Sequence, residues 1–220
     1  FVIHPLVQEL GRRIAGDKPC LPFPSGRCAE LCAQFIRQHG GAAAEIREYN
    51  GVFGVISNES GQATLRAFWQ HTGLIVPTRQ AQAILAGHSD EAPAAAARDS
   101  LRRRLAAFYD CAPDDVFLSP TGMAAQFAAL RAVMQRSPGQ ATAQLGFPYV
   151  DTLKLQQKFG HGGILLHNLD TLADDLRSVL TMRPLAACFC EIHGNPLLGS
   201  ADVRCISPLL RQRGVPLVAD

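Results

Sequence analysis

A chain of 220 residues with 47% hydrophobic and 18% charged residues can bury a sizeable core and reads as an ordinary soluble globular protein. Its formal net charge of +2 argues against nucleic acid or an anionic membrane as the main partner. No apolar run approaches the ~20 residues of a membrane-spanning helix, and no charged leader precedes an apolar stretch, so the expected location is cytoplasmic. The chain starts at Phe1 rather than Met, and its true beginning is expected upstream.

The first 95 residues read as a mixed α+β segment without a clean repeat. Pro5 to Ile14 suggests a short helix with proline in its first turn. Pro22 and Pro24 predict a loop over Cys20 to Ser25. Arg27 to Gln38 has helical periodicity, with Ser25 as cap and Gly40 as stop. Glu45 to Tyr49 and Val52 to Ser57 are expected to pair as a hairpin across Asn50-Gly51. Ala63 to His71 and Thr78 to Leu85 suggest two further helices, the first ending near Gly73. "GHSDEAPAAAARDS" marks a boundary, where Ser89 or Asp90 can cap a long helix running to about Tyr109. Arg102, Arg103 and Arg104 read as the solvated side of that helix.

From Asp114 the pattern becomes regular. Strands are predicted at Val116–Ser119, Ala141–Gly146, Gly163–His167, Ala186–Glu191 and Pro216–Ala219. Helices are predicted at Gly122–Gln135, Val150–Phe159, Leu172–Leu180 and Val203–Gln212. Short apolar strands alternating with helices argue for an α/β fold with a parallel sheet between helices. Right-handed crossovers gather the strand C-termini on one edge, where ligands of open α/β sheets bind.

The cysteines at 20, 28, 32, 111, 188, 190 and 205 fit reduced thiols better than a disulfide framework. Cys20, Cys28, Cys32 and His39 are irregularly spaced, and Cys188, Cys190 and His193 fall on an apparent buried strand. Neither group reads as a metal site, and no metal is expected.

Four features fall at predicted strand exits. Gly122 and Met123 open a helix, where free backbone N–H groups and the helix dipole suit an anion and glycine lets the backbone come close. Tyr149, in "GFPYVDTLKL", could stack on a flat ligand. Asn195 lies in the turn of "CFCEIHGNPLLGSADV". Asp220 ends "VPLVAD", where a buried carboxylate would need a partner. Taken singly, a plain helix start, a packed tyrosine and an Asn-Pro turn are the commoner explanations of the first three. A nucleotide-binding domain is a weaker alternative, since neither G-x-G-x-x-G nor G-x-x-x-x-G-K-[ST] occurs.

The order of these pieces resembles a known family. "PTGMAAQFAAL" is similar to the Gly-Met turn of the Cys/Met-metabolism pyridoxal-phosphate enzymes. "YVDTLKL" is similar to their Tyr-Gly-Gly-Thr segment, "EIHGNPLL" to their Glu-Ser-Pro-Thr-Asn-Pro segment, and "VPLVAD" to the strand ending in their cofactor aspartate. The resemblance is closest to the cystathionine γ-synthase-like branch, including the fungal type. It covers Asp114 to Asp220, with looser similarity upstream through "FWQHTG".

The resemblance implies the large domain of a fold type I pyridoxal-phosphate-dependent transferase, truncated, with 1–95 as an N-terminal α+β segment and 96–220 as the first part of the cofactor domain. It implies that Gly122 and Met123 bind the cofactor phosphate and that Tyr149 stacks on the ring and assists proton transfer. Asn195 would lie near the ring hydroxyl, and Asp220 would pair with the ring nitrogen. Arg79, in "VPTRQA", resembles an arginine that reaches the neighbouring subunit's phosphate site. A homodimer or homotetramer acting on a small amino-acid substrate is implied. So is a reaction through an external aldimine in which cysteine replaces the γ-substituent of an O-acylhomoserine. Cystathionine or methionine lyase chemistry is the alternative, and a non-catalytic fragment or relative with an assembly role is another.

Two departures stand out. The family's Tyr-Gly-Gly-Thr is Tyr149-Val150-Asp151-Thr152 here, and its Ser-Pro-Thr is Ile192-His193-Gly194. The lysines are Lys18, Lys154 and Lys158, and none matches the family's Schiff-base lysine, which lies downstream of the aspartate. The 220 residues are therefore expected to be a fragment that is inactive alone.

Overall fold

In the computed structural model, which describes residues 2–40, 43–88 and 91–220 (backbone alone for 91–93), Cys20–Phe23 forms a strand, β1. The prolines there predicted a loop. Pro22 is tolerated because β1 is an edge strand: the sheet order is β1-β3-β2, with β2 at Ala44–Tyr49 and β3 at Val52–Ser57. A missing N–H costs little on an edge. The Pro22 carbonyl instead accepts the Val76 N–H at 3.0 Å. The β2–β3 hairpin forms as expected, with Tyr49 opposite Val52 and positive φ at both Asn50 and Gly51.

Packing divides the chain into two units, Phe1–Ala125 and Gln126–Asp220. The boundary expected at 95/96 falls within a long helix of the first unit. Around the antiparallel sheet that unit carries α1 (Pro5–Ala15), α2 (Gly26–His39), α3 (Gln62–Thr72), α4 (Thr78–Leu85) and α5 (Glu91–Tyr109), and it holds the start of α6 (Gly122–Arg136). Val7, Leu10 and Ile14 recur at helical spacing on α1 and pack with Val52 and Ile56 of β3 and Ala81 of α4. Phe68 of α3 meets Phe23 edge-on at 5.8 Å and Phe35 of α2 at 5.7 Å. Ser25 caps α2, its hydroxyl accepting the Cys28 N–H at 3.3 Å. The caps expected at Ser89 or Asp90 lie outside the described residues.

Two expectations fail in this unit. No strand forms at Val116–Ser119, and Phe117 is 88% exposed. The Val116 carbonyl that a sheet neighbour would have taken is held by Arg102 Nε at 3.1 Å. Arg102 is therefore not merely a solvated helix residue: its guanidinium also bonds the Pro113 carbonyl and the Asp114 carboxylate. Arg103 and Arg104 are exposed as expected.

The second unit is a parallel sheet of order β5-β4-β6-β7, with β4 at Ala141–Leu145, β5 at Gly163–Leu166, β6 at Leu185–Cys190 and β7 at Leu217–Ala219. Helices α7 (Val150–Phe159), α8 (Leu172–Met182) and α9 (Val203–Gln212) connect the strands. The period of two along β4 separates its faces. Ala143 and Leu145 join an apolar core with Leu176, Ile206 and Leu210. Thr142 and Gln144 point the other way, to Gln156 of α7. The Thr142 hydroxyl donates to Gln156 Oε1 at 2.8 Å, and Gln156 Nε2 donates to Gln144 Oε1 at 2.7 Å, all three residues being fully buried. Every residue of β6 is buried, and burial pushes the Cys188 thiol up to about 12, with the Cys190 charge adding to it. Among the described residues no helix is long and apolar enough to cross a membrane.

Candidate functional site

Parallel pairing brings the ends of β4, β6 and β7 to one edge of the second unit, and hydrogen bonds tie their exits together. The Asp220 N–H donates to the Cys190 carbonyl at 3.0 Å, and the Ile192 N–H donates to the Asp220 carbonyl at 2.8 Å. Asp220 thus stands beside the exit of β6, with its residue exposed. Tyr149 is the N-cap residue of α7, and its backbone N–H donates to the Glu191 carboxylate. Asn195 lies exposed in the loop that leaves β6. In that loop the Gly194 N–H donates to the Gly199 carbonyl at 3.1 Å. A Cβ on Gly194 would stand 2.7 Å from the Gly199 carbonyl oxygen and 3.2 Å from that of Phe147. Only glycine allows the loop after β6 to press this closely on the loop after β4. Tyr149, Asn195 and Asp220 are therefore brought to one sheet edge.

The Tyr149 phenol is held above its ordinary pKa of 10.0. Burial contributes most, and the Asp151 carboxylate adds to it by its charge and by a hydrogen bond. Asp151 is itself 1% exposed. Near neutral pH this side chain is therefore a phenol, able to donate a hydrogen bond or a proton. His193, one residue beyond Ile192, lies 3.3 Å from the Ser200 hydroxyl through Nδ1.

Gly122 and Met123 belong to the first unit, where they form the opening turn of α6. Thr121 caps the helix: its hydroxyl accepts the Ala124 N–H at 3.0 Å and donates to the Gly73 carbonyl at 3.3 Å. The Gly122 and Met123 N–H groups have no protein partner among the described residues, and nothing lies within 4 Å of where a Gly122 Cβ would be. Two unpaired N–H groups at the positive end of a helix of this length can hold an anion. Gly73 ends α3 in the left-handed region at φ +63°. A Cβ there would overlap the Thr121 hydroxyl and stand 2.8 Å from the Met123 Cβ. Arg79 is the second residue of α4 and is exposed.

Sequence reasoning gave no role to Thr121 or Asp151, and placed Glu191 in the polar exit of its strand without naming a partner for it. A threonine just before a predicted helix is a recognised cap signal, so Thr121 was findable. What Glu191 and Asp151 do was not readable, because it depends on partners brought up by the fold.

In open parallel α/β sheets ligands bind outside the carboxyl ends of the strands, the edge that carries Tyr149, Asn195 and Asp220 here. Residues 2–77 match the family described as "Fungal trans-sulfuration enzyme, N-terminal domain". Over its whole length the chain is 30% identical to the L-2-amino-4-chloropent-4-enoate dechlorinase/desaturase of Streptantibioticus cattleyicolor, covering 48% of that protein. It is 39% identical to the cystathionine gamma-synthase of Neurospora crassa over 49% of this chain and 18% of the relative. It is 33% identical to that of Saccharomyces cerevisiae over 41% of this chain and 17% of the relative. These matches support a cystathionine γ-synthase-like family for the chain. It spans about half the length, or less, of these curated relatives. No solved structure matches it.

Proposed function

We propose that the protein is a pyridoxal-phosphate-dependent enzyme of sulfur amino-acid metabolism, with the large domain of fold type I. In this reading it replaces the γ-substituent of an O-acylhomoserine with cysteine to give cystathionine. The observation that best supports it is Asp220, an acid at the end of a parallel strand whose backbone is bonded to the exit of β6. When bound, the cofactor supplies an electron sink for the electron pair left by loss of the Cα proton. Asp220 would hold the ring nitrogen protonated. Tyr149 would cover the ring and carry a proton as a phenol. Asn195 would lie near the ring hydroxyl. The free N–H groups of Gly122 and Met123 would bind the phosphate, and Arg79 would reach the phosphate of a neighbouring subunit. A cytoplasmic homodimer or homotetramer belongs to the same reading.

Elimination at the same carbon is the second reading, and one relative favours it. A 2-amino-4-chloro acid carries its chlorine at C4, the γ-carbon, and that relative is named a dechlorinase/desaturase. Both readings require loss of a substituent from Cγ of a 2-amino acid. The full-length protein, incubated with pyridoxal phosphate, cysteine and an O-acylhomoserine, separates them by mass spectrometry. Cystathionine supports γ-replacement, whereas ammonia and a 2-oxo acid without cystathionine support elimination. A full-length protein that develops no cofactor absorbance on addition of pyridoxal phosphate overturns both.

A further inference from the structure

We infer that Glu191 is the positioning residue for Tyr149: by accepting the Tyr149 backbone N–H, its carboxylate ties the exit of β4 to the exit of β6 and fixes where the tyrosine stands on the sheet edge. The inference rests on reading Tyr149 as a cofactor contact. Three contacts carry it. The first is the Tyr149–Glu191 hydrogen bond itself, a charge-assisted bond between residues 42 apart in the chain. The second is the approach of Gly194 to the Phe147 carbonyl, which joins the same two loops at another point. The third is the Ile192 N–H to Asp220 carbonyl bond, which places the residue after Glu191 against the strand end that carries the aspartate. Glu191 therefore stands between Tyr149 and Asp220, bonded to one and one residue from the partner of the other. Its side chain is half-buried, so solvent competes only in part for the carboxylate.

A plainer role exists: a carboxylate at the start of α7 interacts favourably with the helix dipole. The two roles differ in what a glutamine does. An amide oxygen still accepts the Tyr149 N–H but carries no charge, so Glu191→Gln preserves positioning and abolishes the charge effect. Glu191→Ala removes both.

The test uses the full-length protein with pyridoxal phosphate as probe, together with an ultraviolet titration of the Tyr149 phenol, read as the difference between each protein and its Tyr149→Phe counterpart. Glu191→Ala is expected to weaken pyridoxal phosphate binding about tenfold and to bring the Tyr149 titration down towards that of an exposed phenol, as the ring leaves Asp151. Glu191→Gln is expected to stay within about twofold of the parent in affinity and to leave the titration in place. Should the alanine variant fail to fold by circular dichroism, Glu191→Asp, which keeps the charge on a shorter arm, takes its place with the same expectation. Unchanged titration and affinity in the alanine or aspartate variant overturn the inference, as does a glutamine variant damaged as much as alanine. If the parent protein binds no pyridoxal phosphate, the cofactor reading fails, and the titration alone decides whether Glu191 positions Tyr149.

Discussion

Tyr149 keeps its proton for two reasons that act in the same direction: partial burial and the carboxylate of Asp151, two residues on. Because the folded-state value lies above the ordinary 10.0, any stability this phenol lends is fully present below pH 10 and is lost as the pH climbs through the folded-state value. Asp151→Asn removes the charge and leaves the burial. The Tyr149 titration is then expected to move down towards 10.0 without fully reaching it, as followed by ultraviolet difference spectroscopy. The candidate site was legible at this scale only in part. Gly122, Met123, Tyr149, Asn195 and Asp220 could be picked out because each sits at a strand exit or helix start that periodicity reveals. Glu191 shared the exit of Asn195, but its partner, 42 residues away, was not readable, and Asp151 is notable only for being a buried carboxylate.

Among the elements, helices and buried strands were the most readable, since α4, α7 and α9 fall where their periodicity puts them. The misreadings came from pairing. Pro22 suggested a loop because sequence does not say which strand lies at an edge, and Val116–Ser119 suggested a strand because a short apolar run does not say whether a neighbour exists. Two substitutions test what the elements rest on. Gln156→Leu takes the donor from Gln144 Oε1 and the acceptor from Thr142 in a fully buried layer between β4 and α7. Thr142 keeps the Gly162 carbonyl at 3.2 Å, but Gln144 does not recover its partner. A loss of ~1–3 kcal/mol in urea unfolding is expected. Gly73→Ala forces a Cβ into the left-handed region and against Thr121, the cap of α6. It is expected to cost ~1–3 kcal/mol by the same measurement and, under the proposed function, to weaken pyridoxal phosphate binding.

Across the whole molecule, alkaline pH acts on both units by the same physics. Burial raises the Cys20 thiol in the first unit and the Cys188 thiol in the second from 9.0 to about 12. Both folded units therefore favour the protonated thiol. Their contribution is fully present below pH 9 and declines between pH 9 and 12. The thermal midpoint is expected to fall across that window, and Cys188→Ala to flatten the fall for the second unit. A midpoint that holds steady from pH 9 to 11 would count against the burial of these thiols.

The close packing of Gly73 against the start of α6 also has an optical consequence. Trp69 is the single tryptophan of these 220 residues, and its carbonyl accepts the Gly73 N–H at 2.8 Å in the last turn of α3. The same helix that ends on Gly73 therefore carries the chain's one indole fluorophore, a turn before the glycine that abuts Thr121. Its emission is a label-free readout of α3, so a change in tryptophan fluorescence on replacing Gly73 by alanine would show that the end of this helix responds to the strain at that glycine.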